Sequence, residues 1–148
     1  MQLSITTDFA ADTGCPEPHL ERIAAAGFTH VHWCHQWNTD FVYDVSEVAE
    51  IARWLRALGL RMLDLHASDG REKRWCSTRE YERLAGVALV KNRIDLVARV
   101  GCDVVVMHAP ARADAAAWAQ LRRSLDELGP YARGRGVRIA IENGEGNF

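Results

Sequence analysis

A chain of 148 residues with 48% hydrophobic and 26% charged content is long enough for one domain with a substantial core, and its composition excludes a disordered polymer. The 18 basic and 20 acidic residues leave a net charge of −2, without the positive excess of a nucleic-acid binder; the loose clusters Arg71–Arg74 and Arg133–Arg138 read as solvated loops and helix ends. No apolar run approaches a membrane span, Met1–Ile5 lacks signal-peptide character, and Cys15, Cys34, Cys76 and Cys102 form no CxxC pair, so a reduced cytoplasmic protein without a membrane partner is expected.

Along the chain, Leu3–Thr7 reads as a first strand, followed by Asp8 and the small-residue loop Ala10–Cys15. Pro16 and Pro18 suit a helix entrance, with Leu20, Ile23 and Ala24 on one face before Gly27. A second strand near His30–Cys34 opens into the loop His35-Gln36-Trp37-Asn38. Ser46 fits an N-cap for a helix with Val48, Ile51, Leu55 and Leu58 on one side. The third strand, Arg61–Leu65, stops on His66, and Ser77 with Glu80 fits a capping box for the long helix that runs to Gly101.

Strand four, Asp103–Met107, stops on His108, and strand five, Arg138–Ile141, stops on Glu142. The helix between them starts near Ala115; Gly129-Pro130 either ends it or leaves it kinked and continuing to Arg133. Four times a helical stretch ends in Gly (27, 59, 101, 136) and an apolar run follows at once, the αβ joint of a parallel sheet. The result is a single α/β domain over residues 1–148, with about five strands and four helices in strict alternation.

Polar residues at the C-terminal ends of parallel strands are where such sheets place their chemistry. Alternation puts His66 on one face with Asp64 and Met62, His108 with Val106 and Val104, and Glu142 with Ala140 and Arg138. Imidazole and carboxylate suit a divalent ion, and a carboxylate beside one can move a proton. Taken alone, a histidine at a strand end is more often a hydrogen-bonded loop residue, and a glutamate there can simply cap the following turn. Their recurrence at the same place in three units points to a functional rim. His35 and Trp37, beyond strand two, are further candidates for contacting a substrate. His30 and His32 read as packing residues or partners in a buried hydrogen bond, Asp8 as a weaker site candidate, and Trp54 and Trp118 as core.

The run Ile139-Ala140-Ile141-Glu142-Asn143-Gly144 resembles the fifth strand of the xylose isomerase-like TIM-barrel superfamily. Leu65-His66-Ala67-Ser68 and Met107-His108-Ala109-Pro110 resemble its third- and fourth-strand histidine motifs, and the likeness runs in order from Leu3 to Asn143. It implies a (β/α) barrel and a sugar or sugar-phosphate isomerase or epimerase. In that branch Glu142 binds a divalent metal (Mn²⁺, Mg²⁺, Co²⁺ or Zn²⁺) and serves as one of two acid/base carboxylates, while His66 and His108 line the substrate pocket. In the apurinic endonuclease branch the two histidines ligate zinc themselves, and an inosose dehydratase-like lyase would share the metal and the glutamate.

The superfamily has eight strands and needs roughly 250 residues. Its later units bring an Asp, a His and a second Glu to the metal. The chain by itself is therefore expected to ligate a metal incompletely and to be inactive as a fragment, or to oligomerise and cover its bare sheet surfaces. A flavodoxin-like doubly wound sheet is the alternative fold, but its phosphate loop would be Thr6-Thr7-Asp8-Phe9-Ala10, which lacks Gly.

Overall fold

The computed structural model describes residues 3–8, 15–70, 72–111 and 113–142; Ala10–Gly14, Arg71 and the Asn143-Gly144 pair lie outside them. Its elements are β1 (Ser4–Thr6), α1 (Glu17–Ala25), β2 (His30–Trp33), α2 (Val45–Ala57), β3 (Arg61–His66), α3 (Glu80–Val100), β4 (Val104–His108), α4 (Ala115–Arg133) and β5 (Arg138–Glu142). All strand pairs are parallel, and the sheet order is β1-β2-β3-β4-β5.

That order decides the fold. A doubly wound sheet reverses direction at a switch point and places helices on both faces. Here every unit steps to the next neighbour, so right-handed crossovers put all the helices on one side. This is the arrangement of a (β/α) barrel wall, and the flavodoxin-like alternative is excluded. The core lies between sheet and helices: Val31, Trp33, Met62, Leu65, Val105, Met107 and Val137 meet Leu20, Ile51, Leu55, Val90, Ile94, Leu121 and Leu128. The opposite sheet face carries the polar residues, and β1 and β5 are its two edges among the described residues.

Local chemistry explains the joints. Gly101 closes α3 with φ of +81°, a left-handed conformation that a side chain would resist, and Cys102 then turns back with its amide on the Val97 carbonyl. The first residue of α2 is Val45, and the N-cap is Asp44 rather than Ser46. The Asp44 carboxylate accepts from the Ser46 and Glu47 amides while Glu47 reaches back to the Asp44 amide.

The expected Ser77–Glu80 box is also replaced. Arg79 occupies the N-cap without a side-chain bond, and Ser77 instead donates to Glu82 at 2.6 Å. α4 runs through Pro130 to Arg133. An interior Pro costs about 3 kcal/mol, but Leu128 and Ala132, one turn apart across it, are buried, and Tyr131 donates to Asp95 at 2.8 Å. Breaking the helix there would forfeit those contacts.

One departure bears on the site. Val31 pairs with Met62 but His32 pairs with Asp64, so Leu63 is an extra residue and β3 is bulged. The bulge flips the face: Met62 packs into the helix-side core, whereas Asp64 and His66 face the other way. Simple alternation had placed Met62 with His66.

Candidate active site

Three parallel strands deliver the central residues. β4 and β5 pair in register with His108 opposite Glu142, and the ladder extends one step as the Ala109 amide donates to the Glu142 carbonyl at 3.0 Å. β3 pairs His66 with Val106, one same-face step below His108, so the His66 ring rises to meet its neighbour. His66 Nε2 lies 2.9 Å from His108 Nε2 and 3.9 Å from Glu142 Oε2, and His108 Nε2 lies 3.4 Å from the same oxygen. The three donor atoms all fall within 4.8 Å of one another.

Hydrogen bonding fixes the imidazoles. His66 Nδ1 is 2.8 Å from the Ala67 carbonyl, which can only accept, so the proton resides on Nδ1 and the Nε2 lone pair faces the cluster. Without a cation, His108 Nε2–H then points toward His66 Nε2; a cation in the cluster would require the His108 proton to sit on Nδ1, freeing the Nε2 lone pair. Burial holds the His66 pKa below the ordinary imidazole value, keeping the ring neutral, the form that binds a metal. Glu142 is half exposed and open to a ligand.

The cluster opens on a cavity of about 310 Å³ lined by Thr6, Asp8, His32, Cys34, Trp37, His66, His108 and Glu142. The Trp37 ring packs against both histidines, with centroids 4.7 Å from His66 and 5.9 Å from His108. His35 goes elsewhere: it is buried beside Trp33 and lines a separate apolar cavity of about 430 Å³ with Phe41, Tyr43 and Trp54, away from the cluster. That cavity is the larger one, but among the described residues the group of metal-binding donors lines the smaller one.

Residues inside the strands complete the site. His32 hydrogen-bonds Asp64 across the β2–β3 step and lines the cavity, its ring 6.0 Å from His66. The Asp64 carboxylate, with lesser help from Cys34, raises the His32 pKa to about 10, so the pair is ionic at neutral pH. The readable signal was alternation: His32 and Asp64 share the inner face with His66 on adjacent strands. Asp8 also lines the cavity. Behind the cluster, the buried Trp75 donates its indole N–H to the His108 carbonyl at 3.4 Å.

Two imidazoles and a carboxylate thus gather at the mouth of a parallel β/α wall, a donor set of the kind that suits a divalent cation. The chain belongs to the xylose isomerase-like TIM barrel family, whose model matches residues 20–148. It is similar to uncharacterized protein y4fM of Sinorhizobium fredii, at 29% identity over 83% of this chain and 48% of that protein.

Among solved structures it superposes on a D-tagatose 3-epimerase-like protein (TM-score 0.75, 16% identity, 97% of this chain and 53% of that one). It also superposes on D-psicose 3-epimerase determined in the presence of D-fructose (TM-score 0.74, 16% identity, 95% and 52%). A third match is a xylose isomerase-like TIM barrel protein from Mycobacterium smegmatis in complex with magnesium (TM-score 0.66, 18% identity, 88% and 47%). These likenesses establish a shared fold. The chain spans about half the length of the proteins it matches. Among the described residues, no helix is long and apolar enough to cross a membrane.

Proposed function

We propose that this chain supplies a metal-binding and proton-transferring part of a sugar epimerase or isomerase. The observation that carries the reading is the convergence of His66 Nε2, His108 Nε2 and a Glu142 oxygen within 4.8 Å at the mouth of a cavity walled by Trp37. The donor chemistry fits a divalent cation: neutral His66 presents a free lone pair, and Glu142 presents an accessible carboxylate. Such a cation, when bound, would polarise the carbonyl and hydroxyl oxygens of an α-hydroxy ketone and acidify the adjacent C–H.

Glu142 is the base that takes that proton from carbon, its carboxylate 3.4 Å from His108 Nε2. Trp37 offers its face to the C–H surface of the sugar beside the two histidine rings it packs against. His32, charged through Asp64, provides a donor for a substrate oxygen on the same wall. Inversion at carbon needs a proton returned on the opposite face, and Glu142 serves one face only. The described cavity lining contains neither Lys nor Arg, which favours a sugar over abasic DNA, whose phosphates call for cationic contacts.

The test uses the polypeptide expressed with whatever coding sequence follows Phe148, incubated with ketohexoses, Mn²⁺ and D₂O. Deuterium should enter the carbon next to the carbonyl, and Glu142→Gln should abolish that exchange while leaving the fold intact. Full exchange in Glu142→Gln refutes the assigned base. Cleavage of abasic DNA without sugar exchange would replace the reading with the endonuclease one, and loss of water from an inosose would replace it with the lyase one.

A further inference from the structure

Arg93, on α3, is 1% exposed and hydrogen-bonds no carboxylate among the described residues. A buried cation normally has an anionic partner, because an unpaired charge in a protein interior is costly. Its partners are instead neutral. Nε and Nη2 donate to Ser68 Oγ at 3.0 and 2.5 Å, Nη1 donates to Asn92 Oδ1 at 2.7 Å, and the guanidinium lies 4.6 Å from the centroid of the Tyr43 ring.

All these contacts serve the two loops that follow β2 and β3. Ser68 Oγ donates onward to the Gln36 carbonyl at 3.3 Å, and Gln36 itself has a positive φ of 56°. Asn92 brackets Tyr43, donating to its carbonyl at 2.8 Å and accepting from its amide at 3.1 Å. Tyr43 in turn donates to the His35 carbonyl at 2.6 Å, and the Asp69 amide donates to the Trp37 carbonyl at 3.0 Å. Gln36 and Trp37 are adjacent, so the chain of bonds ends on the backbone that carries the indole packed on His66 and His108.

We propose that Arg93 is a positioning residue, which ties the two loops to α3 and thereby sets Trp37 against the His66–His108 pair. A role in stability alone would not require this residue. Replacing a buried charge by an apolar side chain of similar length is often neutral or stabilising, whereas Ser68 and the Gln36 turn have no other side chain holding them to α3 among the contacts described.

The link to cation binding rests on the function proposed above; the placement of Trp37 does not. The experiment therefore reads both in the full chain. In ¹H–¹⁵N spectra the Trp37 indole signal is assigned through Trp37→Phe, and Mn²⁺ affinity is measured by calorimetry. In Arg93→Met the Trp37 indole should shift or broaden, Mn²⁺ affinity should fall by about tenfold, as for loss of other outer-shell supports, and cooperative unfolding should persist. Arg93→Lys, which reaches one acceptor but not both, should recover part of each.

A Trp37 signal unchanged in folded Arg93→Met overturns the proposal. If that variant does not fold, Ser68→Ala takes its place, and an unmoved Trp37 there overturns it equally. A wild-type chain that binds no Mn²⁺, with Trp37 displaced in Arg93→Met, upholds the positioning role and counts against the metal reading alone.

Discussion

Replacing Gly86 by alanine should destabilise the protein although the position is mid-helix, where alanine ordinarily gains about 1 kcal/mol. A β-carbon there would lie 2.4 Å from the Trp75 amide nitrogen, 2.7 Å from the Arg74 carbonyl carbon and 2.9 Å from the Arg74 nitrogen. All three are backbone atoms, so relief requires the 74–75 segment to move off α3. Trp75 cannot follow freely. It is buried, its carbonyl accepts from Ser124 Oγ at 2.5 Å, and its indole is tied to the His108 carbonyl.

Overpacking costs about 1–3 kcal/mol, and partial loss of the Trp75 seat adds a share of the roughly 3–5 kcal/mol that truncating a buried Trp costs. After the helix gain is subtracted, a net loss of about 2–4 kcal/mol is expected. At this chain length that corresponds to a fall in Tm of about 6–12 °C. Thermal unfolding followed by circular dichroism measures it. An unchanged or higher Tm for Gly86→Ala would refute the claim that the loop is seated against a bare helix backbone.

Asp44→Ala should cost about 1 kcal/mol by removing the cap of α2, whereas Ser46→Ala should stay within about 0.5 kcal/mol, and urea denaturation separates the two. The reverse ranking would restore Ser46 as the cap. Two of the inner-face histidines, His66 and His32, should give opposite pH slopes in the metal-free protein. His66 has a folded pKa below the free value, so the unfolded chain binds its proton more readily; its share of stability is present above about pH 6.5 and declines as pH falls below that. His32 has a folded pKa raised to about 10, so its share is full below about pH 6.5 and is lost as pH rises toward 10. The stability gap between wild type and His32→Gln should therefore narrow from pH 6 to pH 9; a constant gap would contradict the His32–Asp64 ion pair.

The order of elements was legible because each αβ joint pairs a glycine with an abrupt apolar run, and both signals are local. The rim position of His66, His108 and Glu142 was legible for the same reason, since a strand's last residue can be read without knowing its neighbours. The Leu63 bulge was not: nothing in Arg61–His66 distinguishes six regular residues from five with one extra, and only pairing with β2 reveals it. Asp44 and Ser46 are both capping residue types, and the choice turns on which has the extended backbone, here Asp44. His35 was placed at the mouth by proximity to strand two, but alternation lapses in a turn, and its ring settled on Trp33. Arg93 was hidden in a helix where arginine ordinarily points to water; its burial depends on two loops that only the tertiary fold brings over it.

The most direct measurement titrates Mn²⁺ into the chain while following its histidine side-chain resonances. The His66 and His108 signals should broaden first, ahead of those of His19 and His30, and Glu142→Gln should shift the effect to higher Mn²⁺ concentration. Uniform loss of all histidine signals, or broadening at His66 and His108 that is indifferent to Glu142→Gln, would contradict a shared cation site at the ends of β3, β4 and β5.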